Sequence, residues 1–367
     1  MQVAFALLVL KWSVGKDALE WFAGQVTVLV EYANAGIDFM FGDLVGDREE
    51  PIFALQVLPV IIFLGALVGM LFYLRVIQWI VAIFGGGIAW LLRTSKVESL
   101  YAATVIFLGQ SEAPLMIQSY LSKLTRSELF AVMTAGFASV AGSTLVGYSL
   151  LGAPLPYLLA ASVMNAPGAL WVAKTMLPET ERSESDAVVR DVRDTESANV
   201  IDATARGALA GGRIAVIVGA LLIALISLIA LANGLLSGIG GCFGADDLTF
   251  QKLLGWVFAP VAWLIGVDWS EAETVGQFIG EKTVLNEFVA FADFGPQVDE
   301  LSQQAVVITT FALAGFANFA SIAIQIGAIG GLAPDRRRDV AGLGLHALLA
   351  GSIVNLTNAA IAGLIVG

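Results

Sequence analysis

The chain has 367 residues, 57% hydrophobic and 14% charged, with a mean hydropathy of +0.82 and a formal net charge of −12. Soluble domains are usually about a quarter charged, so this is the composition of a membrane protein, and an acidic chain without a basic stripe argues against a nucleic-acid partner. One cysteine, Cys242, and one histidine, His346, exclude an internal disulfide, a cysteine-based metal cage and the HExxH metalloenzymes.

Residues 1–14 are apolar but broken by Lys11. They lack a basic leader and a small-residue cleavage site, so they read as the tail of a helix rather than a signal peptide. Residues 12–47 mix apolar and acidic side chains and predict an extramembrane or interfacial helix. Residues 53–74 match the roughly 20 apolar residues a bilayer span needs. Residues 76–92, VIQWIVAIFGGGIAWLL, are apolar and rich in Trp, which suits a helix lying at the interface. Their three glycines, 85–87, read as a bend rather than a phosphate loop. Residues 99–124 carry FLGQSEAPLMIQ in their middle, and 127–150 have a small, polar centre, GFASVAGS. Residues 155–177 form a further span, 178–205 the one strongly polar linker, and 206–236 a long span. SGIGGCFG, residues 237–244, lacks the Lys-Ser/Thr of a phosphate cradle.

The pattern then returns. LLGWVFAPVAWLIG echoes residues 76–92, and EKTVLNEFVAF takes the place of GQSEAP. GFANFASI takes the place of GFASVAGS, and AGSIVNLTNAA that of AASVMNAPGA. The chain is an internal repeat of long span, interfacial helix, interrupted segment, broken span and span. Read as re-entrant hairpins, the interrupted segments add no crossing. Each repeat then crosses three times and the second is inverted relative to the first. Inverted repeats with discontinuous helices mark transporters whose site lies near the midplane. The fold class expected is an all-α polytopic membrane protein with two re-entrant helical hairpins and two broken transmembrane helices.

Charge tests this topology independently. With re-entrant hairpins, Arg75, Arg93, Lys96, Lys123, Arg126, Lys174, Arg182, Arg190, Arg193, Arg206 and Arg336 to Arg338 fall on one side. DREE, GADD, DWSEAE and DFGPQVDE fall on the other, as the positive-inside rule requires. The basic loops and the 178–205 linker are therefore expected in the cytoplasm.

Carboxylates at membrane depth are costly and are kept mainly for pathways, ligands or ion relays. The hairpin tips, Gln110 to Glu112 and Asn286 to Glu287, should meet near the midplane beside the breaks at Ser139 to Ser143 and Phe316 to Ser321. Unwound backbone there exposes amides and carbonyls that need partners. Two carboxylates, the amides of Gln110 and Asn318 and several hydroxyls suit a neutral, hydroxyl-rich solute. They do not suit an anion, because no arginine lies inside. Phe316 and Phe319 offer faces to a ring. Plainer roles stand beside these: Glu112 as a helix cap, Ser139 and Ser143 as packing residues, the two phenylalanines as core, and His346 as a packed histidine. An intramembrane enzyme would need a carboxylate cluster, a dyad or a histidine pair, and none is found.

GQSEAP, SELFAVMTAGFASVAGS, KTVLNEFVAF and GFANFASIAI resemble the concentrative nucleoside transporters, their bacterial branch in particular, in order and over nearly the whole chain from about residue 34. The chain is similar to that pattern without its first helix. The resemblance implies a homotrimer in a bacterial inner (plasma) membrane, working as a cation-coupled nucleoside symporter. Residues 1–75 and 206–246 would build the scaffold. Residues 76–177 and 247–367 would form the transport domain that moves as an elevator. It implies that Gln110, Ser111 and Glu112, with Thr144 beside them, contact the nucleobase of a nucleoside such as uridine. Glu287, Asn318 and Ser321 would hold the ribose, with Phe316 packed near the ring. No cofactor is implied beyond a coupling sodium ion, held by the carbonyls of Val105, Leu108 and Val140 and the hydroxyl of Ser139. An asparagine is common in the family where this chain has Val105. The family includes proton-coupled members, so sodium and proton coupling both stay open, as does an uncoupled uniporter or channel on the same scaffold. Purine against pyrimidine preference is not legible.

Overall fold

The computed structural model describes residues 1–45, 52–181, 197–241 and 248–367. Residues 46–51, with DREE, and 242–247, with Cys242 and GADD, lie outside the described residues, as do Arg182, Arg190 and Arg193.

No strand occurs among the described residues. α1 (Gln2–Ala6), α2 (Ser13–Glu31) and α3 (Ala33–Phe41) precede α4 (Leu58–Tyr73) and α5 (Val76–Leu92). The first interrupted segment is α6 (Lys96–Thr104), an irregular tip and a 3₁₀ arm, Ala113–Lys123. Then come α7 (Arg126–Ala138), α8 (Gly142–Leu150), α9 (Leu155–Met176) and α10 (Val200–Gly241). The second half repeats the order: α11 (Phe250–Leu264), α12 (Trp269–Val284), α13 (Glu287–Phe294), α14 (Gln303–Leu313), α15 (Phe319–Leu332) and α16 (Arg337–Val366). Five stretches among the described residues are long and apolar enough to cross a bilayer: Phe53–Tyr73, Arg126–Leu150, Leu155–Met176, Val200–Gly238 and Pro334–Val366. α14 and α15 are shorter apolar helices, and α11 with α12 is long and apolar enough only as a pair, bent by 116° at its break.

Both hairpins begin and end at one level. Lys174 near the end of α9 pairs with Glu98 at the start of the first hairpin, 2.8 Å away. At the hairpin's far end, Thr125 Oγ1 donates to Glu179 at 2.7 Å and Ser127 Oγ to the Leu177 carbonyl at 2.7 Å. In the second hairpin, Ser302, which caps α14, donates its backbone N–H and hydroxyl to Glu271 in the first turn of α12, at 2.7 and 2.6 Å. A nine-residue α6 rises only about 14 Å, half of a hydrocarbon core of roughly 30 Å. Helical caps fix these ends. Ser95 and Thr125 each form a reciprocal capping box, with Glu98 and Glu128.

α4 and α10 pack tightly because glycines line their crossing. A Cβ on Gly65 would lie 2.6 Å from the Gly207 carbonyl oxygen, and one on Gly69 would lie 2.6 Å from that of Ala203. Gly65/Gly69 and Gly207/Gly211 thus form two facing small-xxx-small stripes, which let backbones approach where lipid supplies no hydrophobic drive. α5 runs unbroken, so the bend expected at residues 85–87 is absent. Gly85 instead admits α6: a Cβ there would meet Leu100 Cα at 3.1 Å.

The interior is built across the repeats. α16 packs on α7, α9, α14 and α15. Asn165 of α9 donates to the Ala314 carbonyl in the second break at 2.8 Å, while Asn355 of α16 donates to the Ala138 carbonyl in the first at 2.8 Å. The last span of each repeat therefore satisfies the orphaned carbonyl end of the other repeat's half-helix, a group that lipid could not solvate. These are the asparagines of the paired motifs AASVMNAPGA and AGSIVNLTNAA.

Candidate functional site

Each polar tip is positioned by a helix start. Asn286 caps α13 by accepting from Val289 N at 3.0 Å, which sets Glu287 in the first turn. Asn318 caps α15 by accepting from Ser321 N at 2.9 Å. Asparagine is favoured at such caps because its carbonyl satisfies an orphan amide. Here the remaining NH2 of Asn318 donates to Glu287 Oε2 at 2.8 Å. The other Glu287 oxygen accepts from Tyr148 OH at 3.0 Å. Gln110, on the first hairpin, donates to Ser321 Oγ at 3.0 Å and accepts from Gln325 at 3.1 Å. Gln110, Glu287, Asn318 and Ser321 are each at most 3% exposed.

The structure thus joins the first hairpin, the second hairpin and the second broken span in one buried polar cluster. Ser111 is exposed at the tip and Glu112 is half-buried. Glu112 precedes the 3₁₀ arm but makes no capping bond to it, so the cap reading has no geometric support. Its carboxylate folds back over Gly109, where a Cβ would lie 2.8 Å from Oε2. Glu112 faces a cavity of about 360 Å³ between the hairpin tip and the α4/α10 pair, lined also by Phe107, Ser143, Arg206 and Gly207. Thr144 is buried in the first turn of α8, one residue beyond Ser143. Phe316 packs against the core, whereas Phe319 is 52% exposed and turns away from it.

A hydrogen bond joins the two segments that carry the residues expected at the ion. Gly142 N donates to the Phe107 carbonyl at 3.3 Å, fastening the first hairpin to the first break, and Phe316 N donates to that of Ser139 at 3.3 Å. Among the described residues no backbone amide outside regular helix donates to the carbonyls of Val105, Leu108 or Val140. Ser139 Oγ is buried without a hydrogen-bond partner. Other buried hydroxyls share that property, including Thr134 and Thr309, but Ser139 alone among these three lies in unwound backbone. A set of neutral oxygens at the end of a helix fits a small hard cation.

Two participants escaped the sequence reading: Tyr148 and Gln325. Tyr148 and Gln325 carried no signal, because a tyrosine and a glutamine on long helices are commonplace.

Inverted repeats whose re-entrant tips and broken spans gather buried polar groups at one level define a secondary transporter. Comparison with known proteins carries the assignment further. The family described as "Na+ dependent nucleoside transporter C-terminus" matches residues 157–363, its N-terminal counterpart matches residues 1–44, and "Nucleoside recognition" matches residues 54–155. The chain is 52% identical to the transporter YutK of Bacillus subtilis (strain 168), over 100% of this chain and 91% of that one. It is 40% identical to the nucleoside permease NupC of Helicobacter pylori, over 100% and 90%. It also matches CNTnw in an inward-facing substrate-bound state, with a TM-score of 0.94 and 48% identity over 99% of this chain and 89% of that one. The chain belongs to the concentrative, Na+ dependent nucleoside transporter family, whose members are membrane transporters and not enzymes.

Proposed function

We propose that the protein is a sodium-coupled nucleoside symporter of the bacterial inner membrane, a homotrimer that moves its site by an elevator motion. The observation that carries this reading is the Gln110–Ser321 and Glu287–Asn318 pairing. Two amides, a hydroxyl and a carboxylate from both repeats stand ready to exchange each other for the hydroxyls of a sugar. Glu287 and Asn318, with Ser321, take the ribose. Gln110, Ser111 and Glu112, with Thr144, read the base at the cavity, and Phe316 packs beside the ring.

All these groups sit on residues 76–177 and 247–367. The α4/α10 pair, in which α10 begins at Val200 inside the expected 178–205 linker, faces them across the cavity. A site carried on one side of such a boundary travels with its whole domain, which is what an elevator requires. With the 178–205 linker and the basic loops in the cytoplasm, the cavity beside Arg206 faces inward. The sodium ion is cargo, taken by the carbonyls of Val105, Leu108 and Val140 and by Ser139 Oγ.

Val105 favours a second reading, proton coupling, because it offers the ion no side-chain oxygen. Uptake of radiolabelled uridine and adenosine into proteoliposomes under imposed sodium or proton gradients tests both. Sodium-driven accumulation is the expected result. Exchange by counterflow with no gradient-driven accumulation would identify a uniporter instead.

A further inference from the structure

Lys282 lies in the last turn of α12 and is 3% exposed. Its Nζ donates to the Ala312 carbonyl at 2.6 Å and to Asn355 Oδ1 at 2.8 Å. No ion pair within 4.0 Å joins it to a carboxylate among the described residues. A buried ammonium is ordinarily paired with a carboxylate, because desolvating it alone is expensive. Here neutral oxygens hold it, as backbone carbonyls replace the water around an alkali cation. The Ala312 carbonyl belongs to the last turn of α14, the end of a helix that favours positive charge.

The place matters as much as the ligands. In the second repeat, α12 is the first arm of the hairpin and α14 the first half of the broken span. Their counterparts in the first repeat are α6 and α7. Val105 and Leu108 follow the end of α6, and Ser139 and Val140 follow the end of α7, the segments proposed above to hold the coupling ion. Both repeats therefore present oxygens at the same junction, hairpin arm against half-span end, but only the second fills it with a side chain. Asn355 links the two junctions, since its oxygen accepts from Lys282 and its NH2 donates to the Ala138 carbonyl at the end of α7.

We propose that Lys282 is a tethered cation that does in the second repeat what the coupling ion does in the first. It holds the second break in the form that presents Asn318 and Ser321 to the substrate, and it leaves one exchangeable ion site per nucleoside. The proposal rests on the ion reading given above. Lys282 is a positioning residue: it acts on the nucleoside through the break and does not touch it.

The test is calorimetric uridine binding to the purified full-length chain over a range of sodium concentrations, for the unmutated protein, Lys282→Met and Lys282→Ala. Methionine keeps the length and removes the charge, and it leaves the Ala312 and Asn355 oxygens without that donor, so a lower melting temperature is expected alongside the binding change. Lys282→Met is expected to bind uridine at least about tenfold more weakly at every sodium concentration. Lys282→Ala is expected to lose affinity likewise and to recover at least about threefold of it in ethylammonium chloride, but not in choline chloride. Uridine affinity in Lys282→Met within about twofold of the unmutated protein would overturn the proposal. So would a loss in Lys282→Ala that ethylammonium leaves unchanged, since that is a packing defect. If Lys282→Ala does not fold, the methionine variant decides alone. Failure of the unmutated protein to bind uridine would overturn the nucleoside reading instead. Sodium-independent binding by it would remove the first-repeat ion, and with it the parallel on which Lys282 is argued.

Discussion

Gln110 Nε2 donates to Ser321 Oγ at 3.0 Å, joining residues 211 positions apart in sequence and on opposite repeats. This bond brings the tip of the first hairpin onto the start of α15, next to Asn318 and Glu287. On the proposed function, a substrate that enters the cluster replaces this bond of one hydroxyl with one amide.

For Glu287, a charge-assisted hydrogen bond is worth roughly 1.5–3 kcal/mol. Glu287→Gln is therefore expected to weaken uridine binding at least about tenfold, the equivalent of about 1.4 kcal/mol. The loss should be smaller for 2′,3′-dideoxyuridine, which lacks the hydroxyls. Equal losses for the two ligands in a calorimetric titration would remove Glu287 from the ribose.

Gln110 and Glu112 sit on one tip but in different surroundings, one buried in the cluster and one at the cavity. Gln110→Ala and Glu112→Ala are expected to change the ratio of uridine to adenosine affinity. Competition binding on detergent-purified protein reads that ratio. A parallel fall in both affinities, together with a lower melting temperature, would mark the residue as structural.

Ser139 contributes a hydroxyl with no protein partner, and Val105 has no side-chain oxygen to replace it. Ser139→Ala should raise the sodium concentration for half-maximal uridine uptake at least about threefold. By linkage, uridine should tighten sodium by the factor by which sodium tightens uridine. Uptake in sodium-free choline buffer from about pH 5.5 to 8 checks the alternative, since a carboxylate at membrane depth can titrate in that range. Full, acid-stimulated accumulation there would move coupling to a carboxylate.

The α4/α10 crossing gives a prediction about stability alone. Gly65→Val forces side-chain atoms into the Gly207 backbone, where even a Cβ would stand 2.6 Å from a carbonyl oxygen. Overpacking of this kind costs roughly 1–3 kcal/mol, so the variant should melt several degrees lower in detergent. Gly86→Ala, inside α5 with nothing within 4 Å of its Cβ, should not lower melting and should raise it slightly, since Ala is favoured over Gly in a helix by about 0.5–1 kcal/mol. Equal melting of Gly65→Val and the unmutated protein would show that the crossing accommodates the added side chain without cost.

The amino-acid sequence by itself determined the class of molecule, the repeat and the polar tips. Apolar length dictates where helices can cross, and Gly, Pro and Asn dictate where they must break, as GQSEAP and LNEF show. Both are local properties, so they were legible at 53–74 as at Asn286 and Asn318. Only the tertiary structure decided which polar groups meet. Nothing in the sequence says that Tyr148 donates to Glu287, that Gln325 braces Gln110, or that Asn165 and Asn355 serve each other's repeat. Nor does it say that Lys282 is held by neutral oxygens alone. The physical reason is that a hydrogen bond depends on a few tenths of an ångström between elements far apart in the chain, and helix packing, not residue type, sets that distance. The unbroken α5 shows the same rule: its glycines looked like a hinge until α6 was seen lying against Gly85.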